Sequence, residues 1–445
     1  GSPDAEVRIR VRGGASLTQS SSPLFIVDGF PVSSISDLSP SDIKSIDVLK
    51  DASSTAIYGS RGANGVVIIT TKSGTEGKVT VNYNSFFAAK KIARTLDVLE
   101  PYDYARWQYE YALLDSDNEN EDGTPDLSSY EDYFGLYSDI DLYQNQPAND
   151  WQRQIYGRTG TSFSNDLSIR GGSEKFNYSA NFARFDDKAI MIGSDYLRNN
   201  ITLKFNNKPN DKVDLSFSVR YSDTKINGGG ANEQNEVSSS DSRLKHAVAY
   251  APIPIPGISL STTTDEQTAG DLVNPIRATE DNDRLQERKN YNINGSFAWQ
   301  IIDPLKFTTS FTVDNYYYED NRFYGVTTYK ARDRSPAFPN QPSALFRDRK
   351  EVRLRSTNLI NYDILKTQSQ NLNIMLGQEV LFSQSSQLEY EIQGYPVLFT
   401  ADDAFKLTTQ GTSIYADNFQ NADDKLLSFF TRVNYDLNDK YLLSA

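Results

Sequence analysis

The chain has 445 residues, with 27 Tyr and 23 Phe against 2 Met and no Cys, a balance that suits extended strands with aromatic faces better than a helical core. Its net charge of −14 argues against nucleic acid as a partner, since neutralising phosphates takes a basic face and the Lys and Arg residues form no such cluster. No apolar run is long enough for a spanning helix, which excludes a helical membrane protein but not a β-barrel, whose strands need only about ten residues of alternating character.

The opening GSPDAEVRIR has no charged segment followed by an apolar one, so no secretory signal is read there; either the protein stays in the cytoplasm or residues precede Gly1. Up to Gly77 short strands and short helices mix. The apolar run Pro23 to Val27 is stopped by the turn pair Asp28-Gly29, and Phe30-Pro31-Val32 returns beyond it. Ser39-Pro40 reads as an N-cap and first-turn proline of a short helix, with Asp42 near its positive end. A strand is expected from Ile46 to Lys50 and a second short helix over 51–58, ended by Gly59. Gly62-Ala63-Asn64-Gly65 then turns into Val66 to Thr71, a continuous apolar strand that needs cover on both faces.

From Lys78 onward the period is two. Val79, Val81 and Tyr83 alternate with Thr80, Asn82 and Asn84. Leu197, Asn199, Ile201, Leu203 and Phe205 alternate with Arg198, Asn200, Thr202 and Lys204. The cleanest case sets Val213, Leu215, Phe217, Val219 and Tyr221 against Asp214, Ser216, Ser218, Arg220 and Ser222. About eleven such strands are expected, the last one cut at Ala445.

The connections alternate between long and short. Residues 90–160, 227–288, 323–349 and 393–424 read as long, 186–195 as intermediate, and 171–174, 207–211, 302–304, 364–370 and 438–439 as tight. Short turns on one side and long loops on the other mark an up-and-down outer-membrane barrel, with loops outside and turns in the periplasm. A half-barrel would leave an edge that lipid cannot hydrogen-bond, so the expectation is a piece of a longer chain.

Chemistry is sparse. The one histidine, His246, has no second His or Cys with which to share a metal, and it reads as a loop residue. The acidic stretch from Asp115 to Gly123 misses EF-hand spacing and reads as a solvated loop. Arg61-Gly62-Ala63-Asn64-Gly65 matches neither phosphate-binding glycine pattern, and no G-x-S-x-G elbow exists. No enzyme, metal or cofactor is therefore expected. The helix read from Leu99 to Leu114 carries Tyr102, Tyr104, Trp107, Tyr109 and Tyr111, flat rings suited to stacking on sugars, meeting a partner protein, or packing at a barrel rim. Tyr316-Tyr317-Tyr318 reads as part of an interfacial aromatic girdle.

Residues 23–32, PLFIVDGFPV, and 42–72, DIKSIDVLKDASSTAIYGSRGANGVVIITTK, resemble the plug signature of SusC/RagA-type TonB-dependent transporters. Arg8 to Gly14 resembles the strand before it, and Ser428 to Tyr435 with Asp439 to Leu443 resembles a mid-barrel hairpin of the same family. The resemblance implies a mainly β fold: the C-terminal part of a small mixed α/β plug domain over 1–77, then over 78–445 the N-terminal half of a transmembrane antiparallel barrel of about 22 strands. It further implies import of oligosaccharides or oligopeptides across the bacterial outer membrane, a SusD-like surface lipoprotein as partner, and coupling to TonB through a segment absent from this chain. Asp28 and Arg61 are expected to meet charges on the barrel wall, while Gly29, Gly62, Asn64 and Gly65 serve plug turns. Alternative readings are a TonB-dependent siderophore receptor and a surface β-rich binding protein without transport.

Overall fold

The computed structural model describes residues 9, 11, 22–32, 35, 38–50, 62–74, 76–114, 120, 122–228, 243–253, 273–332, 337–367, 369–438 and 440–444. Its first part is a four-stranded sheet of β1 (Leu24–Val27), β2 (Phe30–Val32), β3 (Ile43–Leu49) and β4 (Val66–Thr71), in the order β2-β1-β4-β3. β1 and β2 form a two-residue hairpin in which Val27 faces Phe30, and Asp28 and Gly29 both take positive φ (54° and 88°). That is the mirror-image turn whose twist matches the strands, and Asp-Gly is a favoured pair for it. β1 and β4 lie parallel at the centre of the sheet. Phe25, Val27, Val67 and Ile69 form its core, with Ile9 and Val11 against them. The short helix expected after Ser39 is a single 3-10 turn, Pro40–Asp42, with Pro40 in its first turn and Asp42 within it, and β3 starts directly after it. Ser39 makes no cap there; its hydroxyl shares a hydrogen bond with Ser41 at 2.8 Å. The helix expected over 51–58 lies outside the described residues.

The second part is one twelve-stranded antiparallel sheet. Its strands are β5 (Gly77–Lys90), β6 (Gly160–Gly172), β7 (Phe176–Lys188), β8 (Asp195–Asn210), β9 (Val213–Asn227), β10 (Asn282–Ile302), β11 (Leu305–Tyr324), β12 (Ser343–Lys366), β13 (Gln370–Gln393), β14 (Thr412–Gln420), β15 (Asp424–Leu437) and β16 (Tyr441–Ser444). Each strand pairs with the next, except that β13 pairs with β15 along its first half and with β14 along its second. The stretch expected as a loop over 393–424 thus contains a strand.

Phe163, Phe182, Ile201, Phe217, Tyr291, Phe311, Leu354 and Ile360 are exposed, while Ser168, Asn181, Thr202, Ser222, Asn292 and Thr312 are buried on the opposite face. This inverts the arrangement of a soluble domain. The alternation that puts polar groups inside and aromatic groups outside is that of a barrel wall in lipid. β12 and β13 each run 24 residues. At about 3.4 Å per residue that far exceeds an apolar band about 25 Å tall, so the strands continue beyond the membrane and shorten the long loops expected from sequence. At that outer end helix α7 (Ala401–Lys406), started by a capping box at Thr400, packs its Ala401 and Ala404 on Phe323, Phe346 and Ile392.

Among the described residues the long connections hold six more α-helices: α1 (Pro101–Leu114), α2 (Ser128–Phe134), α3 (Trp151–Tyr156), α4 (Arg243–Ala249), α5 (Pro275–Glu280) and α6 (Tyr329–Arg332). Trp151, Ile155, Met191, Ala247 and Tyr250 bind α3 and α4 into one small core above the sheet. His246 is buried beside it, where its Nδ1 accepts a hydrogen bond from the Val273 amide at 3.3 Å. Asp122, in the acidic stretch, closes a turn by accepting from the amide and hydroxyl of Thr124.

Candidate functional site

The four-stranded sheet sits against the polar face of β6 and β8, and a few short polar contacts join them. Asp28 is placed by its hairpin at the end of β1, beside the end of β4. Its Oδ1 accepts from the Thr71 amide at 2.8 Å and its Oδ2 from the Thr71 hydroxyl at 2.8 Å. With the carboxylate so oriented, Lys204 Nζ on β8 lies 2.7 Å from Oδ2, and both side chains are largely buried (10% exposed for Lys204 and 16% for Asp28). Burial alone would raise the Asp28 carboxyl, but the Lys204 ammonium and the Thr71 hydrogen bonds outweigh it and hold the group below its ordinary value.

A second contact lies two residues back along β8. Asp42 accepts from the Thr202 hydroxyl of β8 at 2.8 Å, and the Ser41 hydroxyl donates to Asp166 of β6. Here burial dominates and, with Asp166 close by, raises the Asp42 carboxyl despite the Thr202 bond. The two carboxylates of the small sheet are therefore pushed in opposite directions by the same wall.

Farther out, the inner face carries a charged network. Arg284 on β10 donates to Asp320 on β11 at 2.6 Å, and Arg322 reaches the same carboxylate at 2.9 Å. The Tyr318 hydroxyl donates to Asp320 at 3.0 Å and accepts from Gln286 at 2.7 Å. Arg347 on β12 pairs with Glu389 on β13 at 2.6 Å, and the Tyr415 hydroxyl of β14 donates to that same glutamate at 2.8 Å. Tyr318 and its stacking neighbour Tyr316 thus face the lumen, and only Tyr317 of the triplet stands on the outer face, as strand alternation requires. The girdle read over all three residues is corrected accordingly.

Of the residues singled out from sequence, Asp28 meets a wall lysine, and Arg61 lies outside the described residues. Gly65 has φ +92°, its amide donates to Gly62 O at 2.9 Å, and a Cβ on it would come within 2.8 Å of Val11. Asn64 stands in the same turn. The five rings of α1 divide. Tyr109 stacks on Tyr137 at 3.8 Å and meets Tyr130 edge-on, and Tyr104 lies against Phe134. Tyr102 is half-buried. Trp107 and Tyr111 stack on each other and stay 51% and 57% exposed. Burial pushes the Tyr130 phenol up to about 12. Lys204, Thr71, Asp42, Thr202 and Asp166 escaped the sequence reading. The available signal was a lysine at an inward position of a strand whose other face is apolar.

Comparison with known proteins follows the same division. Residues 1–66 match the family model described as TonB-dependent Receptor Plug Domain. The whole chain aligns at 29% identity with 40% of the TonB-dependent receptor P3 of Formosa agariphila, and at 28% identity with 43% of the TonB-dependent receptor SusC of Bacteroides thetaiotaomicron. The chain therefore spans less than half the length of these curated relatives. Among solved structures, the RagAB peptide transporter matches all of this chain over 50% of its own, with a TM-score of 0.75 at 22% identity. The ferric citrate transporter FecA in its unliganded form matches 94% of this chain over 46% of its own, with a TM-score of 0.53 at 9% identity. The small sheet is accordingly similar to the plug of TonB-dependent receptors, and the large one to half of the barrel in their SusC/RagA-type members, along the whole of this chain.

Proposed function

We propose that the protein imports oligosaccharides or oligopeptides across the outer membrane, driven through TonB and working with a SusD-like surface lipoprotein. The observation that carries this reading is the seating of the plug: a sheet domain held against a polar barrel wall by Asp28–Lys204 and a few hydroxyl contacts. An obstruction fixed by a small set of polar bonds blocks the lumen at rest, and it moves without exposing a large apolar interface to water. The wall beneath it is mostly polar, with Ser168, Asn181, Thr202, Ser222, Asn292 and Thr312 turned inward, so a hydrated oligomer passes along it without desolvation into lipid.

On this reading Asp28 is the plug side of the latch. Its Thr71 bonds keep the carboxylate aimed at Lys204 whenever β1 and β4 are paired, so loss of that pairing releases the wall at the same time. Of the α1 rings, Trp107 and Tyr111 are the surface offered to the partner or the substrate, while Tyr104 and Tyr109 build the platform beneath them. RagAB has been solved as a peptide importer in "closed-closed" and "open-open" states, and the stronger fold likeness to it than to FecA supports the oligomer reading over the siderophore one.

The test is a clean deletion of the gene followed by growth on single glycan and peptide sources, with and without functional TonB. Loss of growth on at least one oligomeric source, reproduced by removing TonB, is expected, together with recovery of a surface lipoprotein on the solubilised receptor. A deletion strain impaired only in acquiring iron refutes this reading in favour of the siderophore receptor.

A further inference from the structure

Along β12 the inward positions from 347 to 355 read Arg347, Arg349, Glu351, Arg353 and Arg355. The one carboxylate among them is shared, with Glu351 paired to Arg353 and lying 3.6 Å from Arg349. Asp320 on the neighbouring strand is shared in the same way, by Arg284, Arg322 and, at 4.0 Å, Arg347. Arg220 donates twice to the Asn292 amide oxygen rather than to a carboxylate. Arg347 also pairs with Glu389, Arg355 lies 3.4 Å from Glu379, and Asp314 stands near Arg220, so the surplus positive charge of this strip comes from the arginines that share Glu351 and Asp320.

The strip is also accessible. Arg349 and Arg353 side chains are 48% and 37% exposed, and Arg353 and Arg355 line a cavity of about 470 Å³ between the plug strands and the wall, together with Asp314 and Asp424. Successive inward positions lie about 7 Å apart, so the run from 347 to 355 extends about 27 Å, roughly the height of the apolar band. Guanidinium groups take carboxylates in bidentate geometry, which a row of lysines would not match. Beside the row, directly across from Glu351 and Arg349, Tyr316 and Tyr318 stack on each other with centroids 6.4 Å apart, both half-buried on the lumen side of β11.

We infer that this lumen selects acidic oligosaccharides, chains of sugar rings bearing carboxylates, over neutral ones. The arginine row meets the carboxylates and the paired tyrosines meet the flat faces of the rings, a combination that an acidic peptide has no need of. The inference rests on the import reading above and narrows its substrate.

The test is calorimetric titration of the full-length protein, solubilised from outer membranes with whatever copurifies, with hexagalacturonate, maltohexaose and hexaglutamate in the same buffer. Hexagalacturonate is expected to bind at least about tenfold tighter than either of the others, as one charge-assisted contact is enough to provide. The Arg349→Gln/Arg353→Gln variant, checked for a folded barrel by its heat-modifiable mobility, is expected to lose that preference, and Arg353→Lys alone to keep only part of it. Equal or tighter binding of maltohexaose, tighter binding of hexaglutamate, or no binding of any of the three overturns the inference. Import is read separately, by uptake of the labelled hexagalacturonate in the deletion strain. Binding with unimpaired uptake refutes import and leaves the ligand class standing.

Discussion

Replacing Asp28 by Asn isolates the charge of the plug latch. Asn tolerates the positive φ of this position and keeps an acceptor for the Thr71 amide, so the hairpin survives while Lys204 loses its counter-ion. At an N–O distance of 2.7 Å, with both side chains largely buried, the pair resembles other buried ion pairs, in which removing one partner costs about 3–5 kcal/mol. The lower end, about 3 kcal/mol, is expected here because an amide still faces the lysine. Lys204→Met alone should cost a similar amount. The double variant should lose less than the sum by about 2 kcal/mol, because neither group is then left charged and unpartnered. Val67→Cys at the buried centre of the plug sheet, placed in the full-length protein with any cysteine outside these 445 residues replaced by serine, supplies a reporter. Thiol labelling along a urea series then reads plug opening while the barrel stays folded. With a slope of about 1–3 kcal/mol per molar urea, each single variant should lower the midpoint by roughly 1–3 M. Single-variant shifts that simply add in the double variant would refute the latch.

The two plug carboxylates should respond to pH in opposite senses. The Asp28 latch is at full strength above the unfolded carboxylate value of 3.8 and is lost as pH falls through its depressed folded value, whereas ionised Asp42 opposes docking until it takes up a proton above 3.8. Asp42→Asn should therefore raise the urea midpoint at pH 7.5 and lose that advantage near pH 4; an unchanged difference across this range would contradict the assignment. Gly29→Ala should cost about 1 kcal/mol in the same assay, through its φ of 88° rather than through any clash, since nothing lies within 4 Å of the added Cβ. Tyr109→Ala should cost about 3 kcal/mol of local stability and open residues 91–159 to protease, whereas Trp107→Ala and Tyr111→Ala should stay within about 0.5 kcal/mol and instead reduce copurification of the lipoprotein or uptake of substrate. Equal protease sensitivity in all three variants would erase the distinction between platform and surface.

The barrel was legible where one side of a strand faces lipid. The alternation from Val213 to Tyr221 appears unchanged in β9, because a one-residue slip would put every polar group into the membrane. It was less legible above the membrane, where β12 and β13 carry polar groups such as Asp348 and Gln387 on either face and the period loses its contrast. The tyrosine triplet shows the same limit: three adjacent aromatic residues hint at depth, but only register decides that Tyr317 points outward and its neighbours inward. At the plug, Asp28 was visible because a turn needs it, but its partner was not. Lys204 joins it through tertiary structure alone; its inward place on β8 marks it as a lumen residue but does not name its partner.

The parallel pairing of β1 with β4 sets how the plug bears mechanical load. Tension applied ahead of Leu24, with the wall holding the chain beyond Thr71, pulls on opposite ends of the pair, because Leu24 lies beside Val66 and Val27 beside Ile69. The rungs are then strained together in shear instead of one after another as in a zipper, and the Asp28–Thr71 clamp adds its resistance at the far end. A slow or weak pull leaves such a joint intact. A pull strong enough to break it frees the whole joint in one event, and Lys204 with it.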